Sequence, residues 1–231
     1  MLLYQAENGF LFNSDSHFLY HFIAQFSPKG TLLDVGCGCG ILGLLLARDF
    51  PITLHAIDIQ APNITLTQHN ARVNHIPIHT YHDDLLSWKS TQKFDTIIAN
   101  PPYYHDGVSR SNNSHLHQSR YSQHLPFEKM LAKLNQHIAP RGSFIFCYDA
   151  KQLPMLLATL TRYKFIVEDI RAIHGTAQKP SHLIMIHAKK GSKALCKLHP
   201  PLIHFENDTM SDEAQNIYQK TRTYSIKCNL S

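Results

Sequence analysis

Long apolar runs are missing from this chain of 231 residues; none approaches the roughly 20 residues that a membrane-spanning helix needs. The opening "MLLYQAENGF" has neither a basic leader nor a continuous apolar stretch, so neither a secretory signal nor an anchor is expected. Internal repeats and low-complexity tracts are also missing, which excludes a repeat array. Cysteine is scarce and scattered. The five residues Cys37, Cys39, Cys147, Cys196 and Cys228 form no even framework and suit reduced thiols of a cytoplasmic protein. Cys37-x-Cys39 lacks a matching second pair, so no metal site is expected.

What is present suits one domain. At 43% hydrophobic content the chain is long enough to bury a substantial core. Its charge is uneven. Residues 1–140 carry nine Lys/Arg against ten Asp/Glu, whereas residues 141–231 carry thirteen against seven. A basic C-terminal part beside a near-neutral body fits a polyanionic partner or a solvated basic surface, and composition leaves both open.

Strand-like and helix-like segments alternate through the middle of the chain. "TLLDVG", "ITLHAIDI", "IPIHTYH", "FDTIIAN" and "GSFIFCYD" read as strands. "ILGLLLARDF", "APNITLTQHNARVN", "PFEKMLAKLNQHIA" and "KQLPMLLATLTRY" read as helices, with Pro62 and Pro154 near their starts. This βαβα order predicts an α/β, Rossmann-like parallel sheet with helices on both faces. "KFIVEDIRAIH" and "SHLIMIHAKK", with no helix between them, add an antiparallel pair and bring the sheet to seven strands. The domain then divides into a head (1–30), a core (31–190) and a C-terminal extension (191–231). The head segment "GFLFNSDSHFLYHFIAQF" predicts a short strand and a helix. The tail predicts a strand in "KLHPPLIHFEND" and a helix capped by Ser211.

"LLDVGCGCGILG" sets Gly36, Gly38 and Gly40 in the turn after the first core strand. Glycines let backbone approach a ligand closely and take positive φ. Cys37 and Cys39 then serve as small fillers. Asp34, at the strand end, suits a cationic ligand better than a pyrophosphate, and S-adenosylmethionine carries a sulfonium and an ammonium. Asp58 ends the next strand, followed by Ile59, and its carboxylate suits ribose hydroxyls. Asp84, with Leu85 after it, offers an acceptor for an adenine amino group.

"FDTIIANPPYYHDG" sends an apolar strand into Asn-Pro-Pro-Tyr. At the carboxyl edge of a parallel sheet this is ligand territory. Pro101 and Pro102 fix φ and remove two donors, leaving a stiff turn that presents acceptors. The Asn100 side chain and the Pro101 carbonyl can together accept from one exocyclic amine. Such hydrogen bonds strengthen as the nitrogen gains charge. At about 1.5–3 kcal/mol each they supply roughly 10²- to 10⁴-fold in rate. Tyr103 offers a stacking surface for a planar substrate.

Asp34 through Gly40, Asp58 and Asn100 through Tyr103 together resemble the S-adenosylmethionine-dependent amino methyltransferases. With "NPPYYHDGV", "SRYSQHLPFEKML", "PSHLIMIHAKK" and "SDEAQNIYQ", the chain is similar to the bacterial tRNA adenine-N6 methyltransferases, which modify the adenine beside the anticodon of a valine tRNA. The head "FLFNSDSHFLYHF" resembles that family's usual opening, with "NSDS" where the family tends to read Gly-Thr-Asp-Gly. The resemblance implies S-adenosylmethionine as cofactor and tRNA as partner, with no obligatory protein partner evident. It implies Ser14 and Asp15 near the cofactor. Arg110, Arg120 and Tyr121 in the polar loop after the motif, and Lys189, Lys190 and Lys193 further on, are the candidate RNA contacts.

Rivals with the same motif methylate a release-factor glutamine or an rRNA guanine at N2. The first group usually carries a separate helical N-terminal domain, and the second often has Phe or Trp at the Tyr103 position. DNA adenine methylation calls for a target-recognition domain that is not visible here. A cofactor-binding RNA chaperone is the non-enzymatic alternative, for which an intact acceptor pair would have no use.

Overall fold

A computed structural model describes residues 1–7, 11–101 and 126–229. In chain order the head and core contain β1 (Leu2–Ala6), α1 (Ser14–Ala24), β2 (Gly30–Val35), α2 (Ile41–Asp49), β3 (Ile52–Asp58), α3 (Ala61–Val73), β4 (Ile78–His82) and β5 (Phe94–Ala99). Then come α4 (Phe127–His137), β6 (Ile138–Asp149), α5 (Leu153–Arg162), β7 (Phe165–His174) and β8 (Leu183–Lys190). The tail adds the two-residue strands β9 (Lys197–Leu198), β10 (Leu202–Ile203), β11 (Phe205–Glu206) and β12 (Thr209–Met210). It closes with α6 (Asp212–Thr221) and β13 (Tyr224–Cys228).

The central sheet has the order β10-β7-β8-β6-β5-β2-β3-β4, with β9 also on β7. β2 through β6 are joined in parallel, and β8 inserts antiparallel between β6 and β7. The expected seven strands and antiparallel hairpin are there, widened by the short β9 and β10. Alternation along each strand splits the core in two. Leu32, Ile98, Ile145 and Cys147 face α1, α2, α3 and α6, whereas Leu33, Ile97, Phe144 and Phe146 face α4 and α5. Both faces are covered, as an all-parallel centre requires. Pro62 and Pro154 sit in the first turns of α3 and α5.

The head differs from the sequence expectation. Its strand is "LLYQA", upstream of the apolar stretch expected to form it, and β1 pairs in parallel with β13 rather than with the core. The reason is side-chain chemistry on α3. Asn70 Oδ1 accepts the Tyr4 N–H at 2.8 Å and Asn74 Oδ1 the Leu2 N–H at 3.0 Å, so two asparagines act as a surrogate strand edge. α1 is buried from Asp15 through Tyr20 and at Phe22 and Ile23, walled by the sheet and by the neighbouring helices α2 and α6. Burying each such large apolar side chain stabilises the fold by about 1.5–3 kcal/mol. The tail strand is likewise broken into short pieces around Pro200 and Pro201, which cannot donate to a ladder. Ser211 caps α6, accepting from the Ala214 N–H at 3.2 Å.

Candidate active site

Strand register brings the glycine loop and the asparagine together. Ile57, Val35, Ala99 and Phe146 form one row across β3, β2, β5 and β6. The next row towards the carboxyl edge is Asp58, Gly36, Asn100 and Cys147. Neighbouring strands lie about 4.8 Å apart, so one short line holds an acid, a glycine turn, a carboxamide and a thiol.

Gly36, Gly38 and Gly40 take φ of +67°, +58° and +84°, the left-handed region that favours glycine. At Gly36 and Gly38 a Cβ would meet nothing within 4 Å, so the loop fronts open space. Asp58 shapes that space. Its carboxylate accepts from the Gly38 N–H at 3.0 Å, the Gln60 N–H at 2.8 Å and Asn63 Nδ2 at 3.1 Å. Burial raises its pKa above the ordinary carboxylate range against the pull of those donors. Asp34 is turned under α2, where it accepts the Gly43 N–H at 3.0 Å. A Cβ on Gly43 would stand 2.9 Å from that oxygen, so only glycine leaves room for the contact. Burial pushes the Asp34 pKa up to about 7, the Gly43 N–H opposes the rise, and the charge of Asp58 adds to it.

The remaining cofactor candidates border the same space. Ile59, beside Asp58, is 53% exposed, an unusual position for a large apolar side chain next to a buried acid. Asp84 follows β4, and the Asp83 N–H donates to the Asp58 carbonyl at 3.2 Å, tying this loop to the acid. Asp84 Oδ1 accepts from the Leu86 N–H at 3.0 Å, and Leu85 is buried. Cys37 and Cys39 are buried between the glycines, with Cys37 Sγ 3.5 Å from Thr67 Oγ1.

Asn100 is held on two sides. Cys147 Sγ donates to Asn100 Oδ1 at 3.0 Å, and Asn100 Nδ2 reaches Ser16 Oγ at a long 3.5 Å. Pro101 after it is buried. In the head, Asn13 caps α1, accepting the Asp15 N–H at 3.0 Å and donating to Asp15 Oδ2 at 3.1 Å. Asp15 is buried, and its charge is felt by Cys147, His204 and Tyr218. Ser14 hydrogen-bonds the Tyr218 phenol, whose pKa burial raises. The head contact to Asn100 is thus Ser16, which sequence reasoning missed. Its signal was the departure from the family's glycine at that position, which supplies a hydroxyl. Cys147 was read only as a reduced thiol.

Pro102, Tyr103, Arg110, Arg120 and Tyr121 lie outside the described residues. The lysine cluster stands at the other edge of the sheet. β8 runs antiparallel to β6, so Met185 pairs with Cys147 but Lys189 pairs with Ser143. Four residues at about 3.3 Å each carry Lys189 towards the amino edge, away from Asn100. Lys190 is next along, its ammonium donating to the Tyr163 carbonyl at 2.8 Å and lying 4.8 Å from the Phe165 ring centroid. Lys193 follows beyond that end. Among the described residues, Lys151, just past β6, and Lys179, in the β7–β8 turn, are cations at the carboxyl edge. Beside them His204 and Phe205 stack at 4.0 Å between centroids, tied by backbone to His174 and Gly175. Among the described residues, Glu168, Asp169 and His187 converge closely enough to suggest an ion. Their groups are already spoken for. Asp169 binds His187 Nδ1 at 3.0 Å and His199 Nε2 at 2.8 Å, while Glu168 takes the Ser192 hydroxyl.

No helix among the described residues is long and apolar enough to cross a membrane. Comparison with known proteins gives a consistent picture. A tRNA1(Val) (adenine(37)-N6)-methyltransferase of Vibrio cholerae is 27% identical over 180 residues, covering 77% of this chain and 74% of the relative. The Citrobacter koseri protein of the same name is 34% identical over 121 residues, 49% of this chain and 48% of that one. Among solved structures, a predicted O-methyltransferase from Agrobacterium tumefaciens superposes with TM-score 0.70 at 16% identity, covering 92% of this chain and 99% of its own. A Thermus thermophilus 16S rRNA N2 G1207 methyltransferase, solved with AdoMet and guanosine, superposes with TM-score 0.56 at 18% identity, covering 78% and 44%. Residues 12–155, which contain the glycine loop, Asp58 and Asn100, match the family model described as the methyltransferase small domain, and to that family the chain belongs.

Proposed function

We propose that this protein transfers a methyl group from S-adenosylmethionine to the N6 amine of an adenine in tRNA, the one beside the anticodon of a valine tRNA. The shared name of the curated relatives supports the substrate. One structural observation carries the chemistry: Asn100 follows Ala99, which pairs with Val35, so the carboxamide stands next to the glycine loop.

The residues present fit the cofactor. Open space before Gly36 and Gly38 admits a ligand against bare backbone. Asp58 has lone pairs left for ribose hydroxyls after its three hydrogen bonds. The exposed face of Ile59 suits an adenine ring, and Asp84 suits its amino group. Asp34, when ionised, favours a cation close by. S-adenosylmethionine, when bound, supplies an electrophilic methyl on a sulfonium.

Asn100 Oδ1 and the Pro101 carbonyl accept the two N–H groups of the target amine. Those bonds draw its lone pair out of ring conjugation and strengthen as positive charge grows on nitrogen. No base is needed before transfer, because the charged nitrogen sheds its proton afterwards. Tyr103 is the stacking partner of the flipped base, with Pro102 stiffening the turn. Arg110, Arg120 and Tyr121, together with Lys151, Lys179 and the His204–Phe205 pair, line the path of the RNA. On this reading the protein acts in the cytoplasm.

The test is incubation with labelled cofactor, bulk tRNA and release factor, followed by nucleoside mapping. Label at adenine N6 of a valine tRNA is expected. Label in protein alone, or at guanine, overturns the substrate assignment.

A further inference from the structure

Beyond the acceptor chemistry, the thiol set against Asn100 has a role of its own. A carboxamide has two ends of nearly equal shape and opposite hydrogen-bonding character. Only one orientation gives an incoming amine an oxygen. Something must therefore decide which way the Asn100 amide faces.

Cys147 is fully buried on β6, one strand from Asn100, and its Sγ lies 3.0 Å from Oδ1. A thiol is a weak donor and a weak acceptor, so the amide orientation decides whether its S–H meets an oxygen or is left with no acceptor. Turning the amide over would aim an N–H at sulfur and leave that hydrogen bond weak. Ser16, 3.5 Å from Nδ2, accepts equally well as a hydroxyl oxygen. The arrangement with Oδ1 on the thiol therefore satisfies both ends. It occupies one lone pair of Oδ1 and leaves the other for the substrate. A serine at position 147 would also donate to Oδ1, and more strongly, though its hydroxyl could accept from an amide turned over. A thiol holds the oxygen while drawing little electron density from it. Burial and the nearby Asp15 charge both keep Cys147 protonated, hence a donor.

Resting on the reading of Asn100 as an amine acceptor, we infer that Cys147, assisted by Ser16, is a positioning residue that fixes the Asn100 amide with its oxygen towards the target amine. A buried cysteine that merely packs as a small apolar group would be replaceable by alanine or valine without consequence for turnover.

Two measurements test this. In the first, kcat, substrate KM and cofactor Kd are compared for wild type, Cys147→Ala, Cys147→Val and Cys147→Ser. Losing one such hydrogen bond is expected to lower kcat about tenfold in the alanine and valine variants, with cofactor Kd unchanged. The serine variant is expected to recover to within about threefold. Equal kcat in all four proteins overturns the proposal, as does a serine variant no better than valine. The comparison holds for whichever amine the wild type methylates, so a wrong substrate assignment leaves it intact. The second measurement needs no turnover. The infrared S–H stretch of Cys147, assigned by its loss in Cys147→Ala, is expected to shift to the position of a free thiol in Asn100→Ala. A band that does not move means the thiol never donated to Asn100, and the proposal falls even if methylation of tRNA stands.

Discussion

The two edges of the central sheet are built from the same strands and do different work. At the carboxyl edge, Gly36 just after β2, Asp58 at the end of β3, Asn100 just after β5 and Cys147 near the end of β6 are polar or bare positions clustered in one row. At the amino edge the β6–β8 pairing ends in Ser143 and Lys189, and Lys190 is already committed to the Tyr163 carbonyl. The carboxyl edge leaves hydrogen-bonding capacity open and concentrates buried acids. Parallel strands create this asymmetry, because every strand delivers its last residue, and the loop after it, to the same side.

Substitutions probe that asymmetry, from the largest effect down. Asn100→Ala at the carboxyl edge should lower methylation by about 10²-fold or more while cofactor affinity holds, measured by turnover and by calorimetric binding. A large loss of binding would move Asn100 out of the acceptor role. Asp58→Ala should weaken cofactor binding about tenfold or more, since a charge-assisted contact is worth about 1.5–3 kcal/mol. The double reversal Lys151→Glu/Lys179→Glu should raise KM for tRNA several-fold. It should also flatten the dependence of binding on salt, by about 0.7–0.9 in log–log slope for each phosphate that is no longer neutralised. Lys189→Glu/Lys193→Glu at the amino edge should change neither quantity, and the reverse result would exchange the roles of the edges.

The smallest effect concerns acid. Burial lowers the pKa of His17 to about 4, with its Nδ1 against Thr221 Oγ1 at 3.0 Å. An imidazole kept neutral in the fold contributes stability that is complete above the free value near 6.5. That stability is lost as pH falls from there towards about 4, because the unfolded chain takes up the proton first. Thermal melts across that window should fall less steeply for His17→Asn than for wild type.

Which residues gather at the carboxyl edge was readable from local pattern alone. Gly36, Gly38, Gly40, Asp58 and Asn100 each sit where a strand ends, and strand ends are marked by short-range signals. The contacts that hold Asn100 were not readable, because Ser16 and Cys147 are 84 and 47 residues away in sequence. β1 was misplaced for a similar cause. Its partners are Asn70 and Asn74 on α3 and the distant β13, none of which leaves a trace in "LLYQA". The place of the lysine cluster was legible in another way. Basic composition drew attention to it, whereas the expected antiparallel hairpin already implied that β8 ends at the far side.

β1 and β13 pair across nearly the whole chain; the Met1 ammonium donates to the Arg222 carbonyl 221 residues away. A ribosome therefore delivers one half of this clasp long before the other. While the nascent chain waits, β1 has only the asparagines of α3 to grip, and α1 lacks the wall that α6 provides. The helix that carries Ser16 therefore gains its full packing only after the Asp212–Thr221 helix has been made.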